Sequence, residues 1–114
     1  MALPELLRLS VEKKLADYCR KKVPPHLADK IRIGYRFRGK SVTLFEARPQ
    51  FFDPSQWSEI VVAQFRYDPA TALWSLYCAD RNSRWHLYSE NNPAKNLEKL
   101  LKEVDADPTG IFWG

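Results

Sequence analysis

Apolar and polar side chains alternate almost without fault from Ile31 to Arg38. Ile31, Ile33, Tyr35 and Phe37 fall on one side, Arg32, Arg36 and Arg38 on the other. A period of two sends successive side chains to opposite faces of an extended chain, so residues 31–38 are predicted to form a half-buried strand with an arginine-bearing face. Arg38-Gly39-Lys40 supplies a tight turn, with Gly39 free to take a positive φ. A second strand follows over 41–48, with Val42 and Leu44 inward and Phe45 opposite. Residues 50–57 read as a loop around Asp53-Pro54-Ser55. A third strand covers 59–67 and ends at Asp68-Pro69-Ala70-Thr71, with proline in its favoured second turn position. The fourth covers 73–79, Asp80 to Ser83 forms a turn, and the fifth covers 84–88. Connections this short predict an antiparallel meander rather than parallel crossovers.

Two segments carry helical spacing instead. Over 4–22, Leu7, Val11, Leu15, Tyr18 and Cys19 make one apolar stripe and Pro4 suits the first turn. Arg20, Lys21 and Lys22 complement the C-terminal end of the helix dipole, and Pro24-Pro25 stops the helix. Over 93–104, Leu97, Leu100, Leu101 and Val104 repeat at helical intervals, with Asn92 as the expected cap and Pro93 as the first helical residue. The tail Ile111-Phe112-Trp113 is too apolar to stay in water and is expected to dock on the body. Together these elements predict one α+β domain over 1–114: a five-stranded antiparallel meander with the N-terminal and C-terminal helices on one face. Ile60-Val61-Val62-Ala63 is apolar without alternation, unlike a strand with one wet face. Either the tail covers the second face or two chains meet there. In the latter case Phe45, Ile60 and Val62 are the self-association residues, and the protein is a homodimer.

Composition adds bounds. The chain has 114 residues, 45% of them apolar, enough for a core without disulfide or metal staples. No apolar run approaches the roughly 20 residues of a membrane helix, and the N-terminus lacks a signal-peptide pattern. Cys19 and Cys78 stand far apart and read as reduced, which places the protein in the cytoplasm. The net charge of +4 is unevenly distributed: residues 8–40 carry eleven Lys/Arg against three acids, a local net of +8, and residues 41–114 a net of −3. A basic first third fits either a polyanion partner or a solvated helix followed by an edge strand guarded by arginines.

Tyr18-Cys19 with Pro24-Pro25-His26, Gly34-Tyr35-Arg36, the stretch Gly39 to Pro49, Trp74 to Tyr77, Arg84 to Tyr88, and the closing Asp107-Pro108 with Phe112 and Gly114 form a set. Over essentially the whole chain, this set resembles a family of small bacterial proteins described only as a domain of unknown function. The resemblance implies a stand-alone bacterial domain and brings no activity, cofactor or catalytic residue.

No constellation gives a convincing reaction. Glu46, Arg48, Asp53 and Glu59 are the densest acid and base grouping, and Mg²⁺-dependent nucleases use carboxylates of this kind. No Asp precedes them on the neighbouring strand, however, and Glu46 and Arg48 share a face where they can pair. His86 could serve as an acid or base, yet no Ser or Cys nucleophile accompanies it. Cys19, Cys78, His26 and His86 lack zinc-ligand spacing, and four glycines cannot build a phosphate cradle. No catalytic residue, metal or cofactor is assigned. The remaining candidate is a sheet surface for nucleic acid, formed by Arg32, Arg36, Arg38, Arg66, Tyr77, Arg84, His86 and Tyr88 and extended by Lys13, Lys14, Lys21 and Lys22 of the first helix. The leading expectation is a non-enzymatic module that binds itself or another protein, with nucleic-acid binding as the alternative and a nuclease as a distant third.

Overall fold

The computed structural model describes residues 2–89 and 92–113. Helix α1 spans Glu5–Lys22, with Val11 and Leu15 buried on its inner stripe, and Pro24 and Pro25 lead into a short 3-10 turn at Pro25–Leu27. Strands β1 (Arg32–Arg38), β2 (Ser41–Pro49), β3 (Trp57–Asp68), β4 (Leu73–Ala79) and β5 (Trp85–Leu87) follow, and helix α2 spans Leu97–Ala106. The strands pair antiparallel in chain order, so the sheet is an open five-stranded meander of the α+β class. Both helices lie on one side of it. Val11 and Leu15 of α1 and Leu97, Leu100, Leu101 and Val104 of α2 pack with Val42, Leu44, Phe65, Trp74 and Leu76 of the sheet. The two helices also meet through ion pairs, Lys14 with Glu98 at 3.6 Å and Lys22 with Asp105 at 2.7 Å.

The apolar run in β3 has a local explanation. The pairing of β2 with β3 slips between Leu44, opposite Ala63, and Phe45, opposite Val61, so Val62 is an extra residue in a β-bulge. Val62 and Ala63 therefore both face the core, and Val62 is only 3% exposed. The bulge corrects the self-association set. Val62 is a core residue. Ile60 pairs with Glu46 on the helix side of the sheet, while Phe45 pairs with Val61 on the opposite side. These three residues share no patch.

Helix α2 begins four residues later than its sequence suggested, because β4 claims the preceding segment. Trp74 and Ala94 exchange both backbone hydrogen bonds, at 2.8 and 2.9 Å. The Asn92 side chain, expected as a helix cap, instead acts as a peptide unit: its Oδ1 accepts from Leu76 N at 2.7 Å and its Nδ2 donates to Leu76 O at 3.0 Å. Backbone groups committed to a sheet edge cannot also open a helix. Asp107 ends α2 in the left-handed region (φ 43°), and its carboxylate accepts from the backbone N–H groups of Phe112 and Trp113 at 3.0 and 2.9 Å. These bonds seat the tail on the helix side, where Phe112 packs 5.0 Å from the Tyr88 ring and the Trp113 indole donates to Val104 O. The tail docks as expected, but it leaves the second sheet face uncovered. Among the described residues, no helix is long and apolar enough to cross a membrane.

Two outcomes follow from this packing. Val62→Lys should destabilise the protein by more than about 3 kcal/mol, because it buries an unpaired ammonium, whereas Ile60→Lys, at a position 66% exposed, should stay within about 0.5 kcal/mol. Urea unfolding of both variants checks this, and equal effects would contradict the bulge. The Lys22 ammonium, with help from the Tyr18 hydroxyl, holds the Asp105 carboxyl below the usual carboxylate range. A depressed acid stabilises the fold above its ordinary pKa of about 3.9 and loses that contribution as pH falls through its folded value. The melting-temperature gap between the wild type and Asp105→Asn should therefore be constant from neutral pH to about pH 5 and close below pH 4. A gap that persists in acid would show that the ion pair is not its source.

Candidate functional site

Pairing register decides which side chains share the uncovered face. Arg36, Thr43, Gln64, Tyr77 and Leu87 form one row across all five strands. Arg38, Ser41, Arg66 and Ser75 form the next. Gly34, Phe45 and Val61 make a third, and Arg32, Ala47 and Glu59 a fourth. Directly paired residues project to the same side of a sheet, so four arginines stand on the face opposite the helices.

Three of these arginines sit over aromatic rings. The guanidinium carbon of Arg32 is 3.7 Å from the Trp57 ring centroid, that of Arg66 is 3.8 Å from Tyr77, and that of Arg36 is 4.9 Å from Phe45. Arginine suits this geometry because its planar cation stacks on the ring while its N–H groups point sideways. Arg36 also reaches Glu59 with two parallel hydrogen bonds at 3.2 Å. Arg66 is steadied by Gln64, which in turn donates to Thr43. Among the described residues, Arg32, Arg38 and Arg66 have no carboxylate partner. Gly34 is part of the same construction. The Phe45 ring rests on its backbone, and a Cβ there would stand 2.6 Å from Phe45 Cζ.

Arg32, Arg36, Arg38, Arg66 and Tyr77 thus share one face, and the other three residues expected beside them do not join it. Tyr88 is buried, 6% exposed, with its hydroxyl donating to Glu103 Oε2 at 2.6 Å. His86 pairs with Cys78 on the helix side, and its Nε2 lies 2.8 Å from Asp80 Oδ2. Arg84 falls outside β5, where its backbone N–H donates to Asp80 Oδ1. The cause is one residue of turn length. Asp80 and Arg84 close a three-residue loop with Ser83 at a positive φ of 60°, so Trp85, not Arg84, stands opposite Ala79. A one-residue slip exchanges the faces of a strand, which brings Trp85 and Leu87 onto the open face instead.

The helix lysines stand apart as well. They lie across the sheet from the arginines, and Lys14, Lys21 and Lys22 pair with Glu98, Asp17 and Asp105. The sheet also separates the carboxylates considered for a metal. Glu46 lies on the helix side and pairs with Arg48, Glu59 lies on the open side with Arg36, and Asp53 is used by Ser55 within its own loop. Burial pushes the Cys19 thiol up to about 11 and raises that of Cys78, so both are protonated at neutral pH and poor nucleophiles. Neither cysteine lies on the arginine face. Asp80 is held below the usual carboxylate range by His86 and by the Arg84 N–H, a role confined to the β4–β5 turn.

The comparisons with known proteins give a family and no activity. The sequence model described as "Domain of unknown function (DUF3024)" matches residues 3–114. The chain belongs to this family. No curated protein and no solved structure matches.

The contact between Gly34 and Phe45 gives a direct check on the geometry. Gly34→Val should displace the ring and destabilise the protein by about 1–3 kcal/mol, as overpacking generally does. In a Phe45→Ala background the same substitution should cost almost nothing, and urea unfolding of the four-member cycle reads the coupling. Additive costs would mean that the ring does not rest on Gly34.

Proposed function

We propose that the chain is a non-enzymatic binding module of the bacterial cytosol that takes single-stranded nucleic acid on its open sheet face. One observation carries this reading: guanidinium groups held over aromatic rings across a sheet face that no other part of the described chain covers. A stacked guanidinium is pre-organised, and its free N–H edge fits a phosphate in a bidentate manner. Arginines on one face offer several phosphate contacts, and the open sheet between them accepts an extended strand. The distribution of charge supports the same reading, because Lys14, Arg20, Lys21 and Lys22 of α1 are paired with acids while three of the four sheet arginines have no acid partner among the described residues. The two free cysteines fit a reducing compartment.

Self-association is the second reading. Leu87, 59% exposed, and the neighbouring Trp85 favour it, as they leave an apolar margin at the β5 edge of the same face.

Fluorescence anisotropy of labelled oligonucleotides at two salt concentrations tests the proposal. The expected result is micromolar binding of single strands that weakens steeply with salt, because each phosphate neutralised releases counterions. Arg66→Glu with Arg32→Glu should lower affinity at least tenfold and flatten the salt dependence by about one unit of slope for each arginine replaced. Absence of binding at low salt, with the protein dimeric in solution, would replace this reading with self-association.

A further inference from the structure

The hairpin joining β2 to β3 ends in two aromatic side chains that no described residue covers. Phe51 is 92% exposed and Phe52 94% exposed, with ring centroids 5.4 Å apart and planes at 85°. The loop beneath them is well tied. Gln50 N donates to Gln56 O at 2.8 Å, Gln56 N to Asp53 O at 2.9 Å, and Ser55 Oγ to Asp53 Oδ1 at 2.6 Å. These bonds hold two large apolar groups in water, where an isolated fold gains nothing from them.

Their position gives them a use. The last residue pair before the loop is Pro49 with Trp57, and Trp57 carries the Arg32 guanidinium. The loop is therefore continuous with the arginine face. On that face, guanidinium groups occupy the rings of Phe45, Trp57 and Tyr77, and Trp85 at the β5 edge is half-buried, so the two loop phenyl rings offer the largest free ring surface. Glu59 is paired with Arg36, so among the described residues Arg32 has no carboxylate partner, and the Asp53 carboxylate is turned into its own loop by Ser55. Resting on the reading above, we infer that Phe51 and Phe52 are the base-stacking element of the site, taking unpaired bases of a single strand whose phosphates run along Arg32, Arg66 and Arg38. The division of labour is chemical. Guanidinium groups meet the charged backbone, and the free phenyl rings meet the bases, whose faces stack without regard to sequence.

Three oligonucleotides of equal length test this by anisotropy: a single strand, the same strand with abasic sites, and a duplex. The wild type should bind the base-bearing single strand about tenfold more tightly than the abasic strand, and the duplex no better than the abasic one. Phe51→Ala with Phe52→Ala should erase that preference and leave abasic-strand affinity and far-UV circular dichroism unchanged. Phe51→Leu with Phe52→Leu, which keeps the apolar volume and loses the aromatic plane, should erase it as well. An intact preference in either variant would overturn the inference while leaving the arginine face standing. So would an equal loss on the base-bearing and abasic strands, or uptake of the wild type but not the alanine variant by anionic vesicles with the base preference unchanged. Wild-type protein that binds none of the three would overturn the proposed function itself, and this inference with it.

Discussion

A five-stranded sheet has two faces, and the helices of this chain cover one of them. That asymmetry governs the rest of the structure. On the helix side, Leu and Val side chains from α1 and α2 close over Val42, Leu44, Phe65 and Leu76 in the usual manner of a two-layer fold. On the other side the described residues form no second layer. Phe45, Trp57 and Tyr77 would face water there, and the stems and guanidinium groups of Arg36, Arg32 and Arg66 lie across them instead. Long cationic side chains commonly shield apolar surface while keeping their charge wet. Here they do so side by side, which turns a stability requirement into a patterned positive surface.

The same asymmetry explains why the basic character of residues 8–40 divides in two. The lysines of α1 stand on the covered side, where Glu98, Asp105 and Asp17 neutralise Lys14, Lys22 and Lys21. The first two of those pairs join the helices to each other and belong to the architecture. The arginines of β1 and β3 stand on the open side, and of these only Arg36 meets an acid among the described residues. Net charge alone could not separate these groups. Strand register does.

Most of the architecture is legible in the sequence because its periods are strong. The alternation from Ile31 to Arg38, the stripe of Leu97, Leu100, Leu101 and Val104, and the proline stop after Lys22 each follow from one local rule, and the observed elements agree within a few residues. What escapes the sequence is phase. The bulge at Val62 turns an apolar run that looks like two buried faces into two consecutive core residues. The loop from Asp80 to Arg84 is one residue longer than a simple turn, so His86 and Tyr88 lose the open face and Trp85 and Leu87 gain it. Asn92 resembles a helix cap by position, yet its amide completes the edge of β4. In each case the side-chain pattern is compatible with two registers and backbone hydrogen bonding selects one. That Arg32, Arg36, Arg38 and Arg66 share one face is legible in the sequence, since they sit on long strands with strong alternation. The partners that hold them, Trp57, Phe45 and Glu59, are brought close only by cross-strand pairing.

If the uncovered arginine face is the binding surface of this protein, residue-resolved NMR titration with a short single-stranded oligonucleotide will show it most directly. Chemical-shift changes are predicted on Arg32, Arg36, Arg38, Arg66 and Tyr77, with the amides of α1 and α2 unmoved. Changes centred on the helix lysines, or none at a millimolar excess of oligonucleotide, would contradict that assignment.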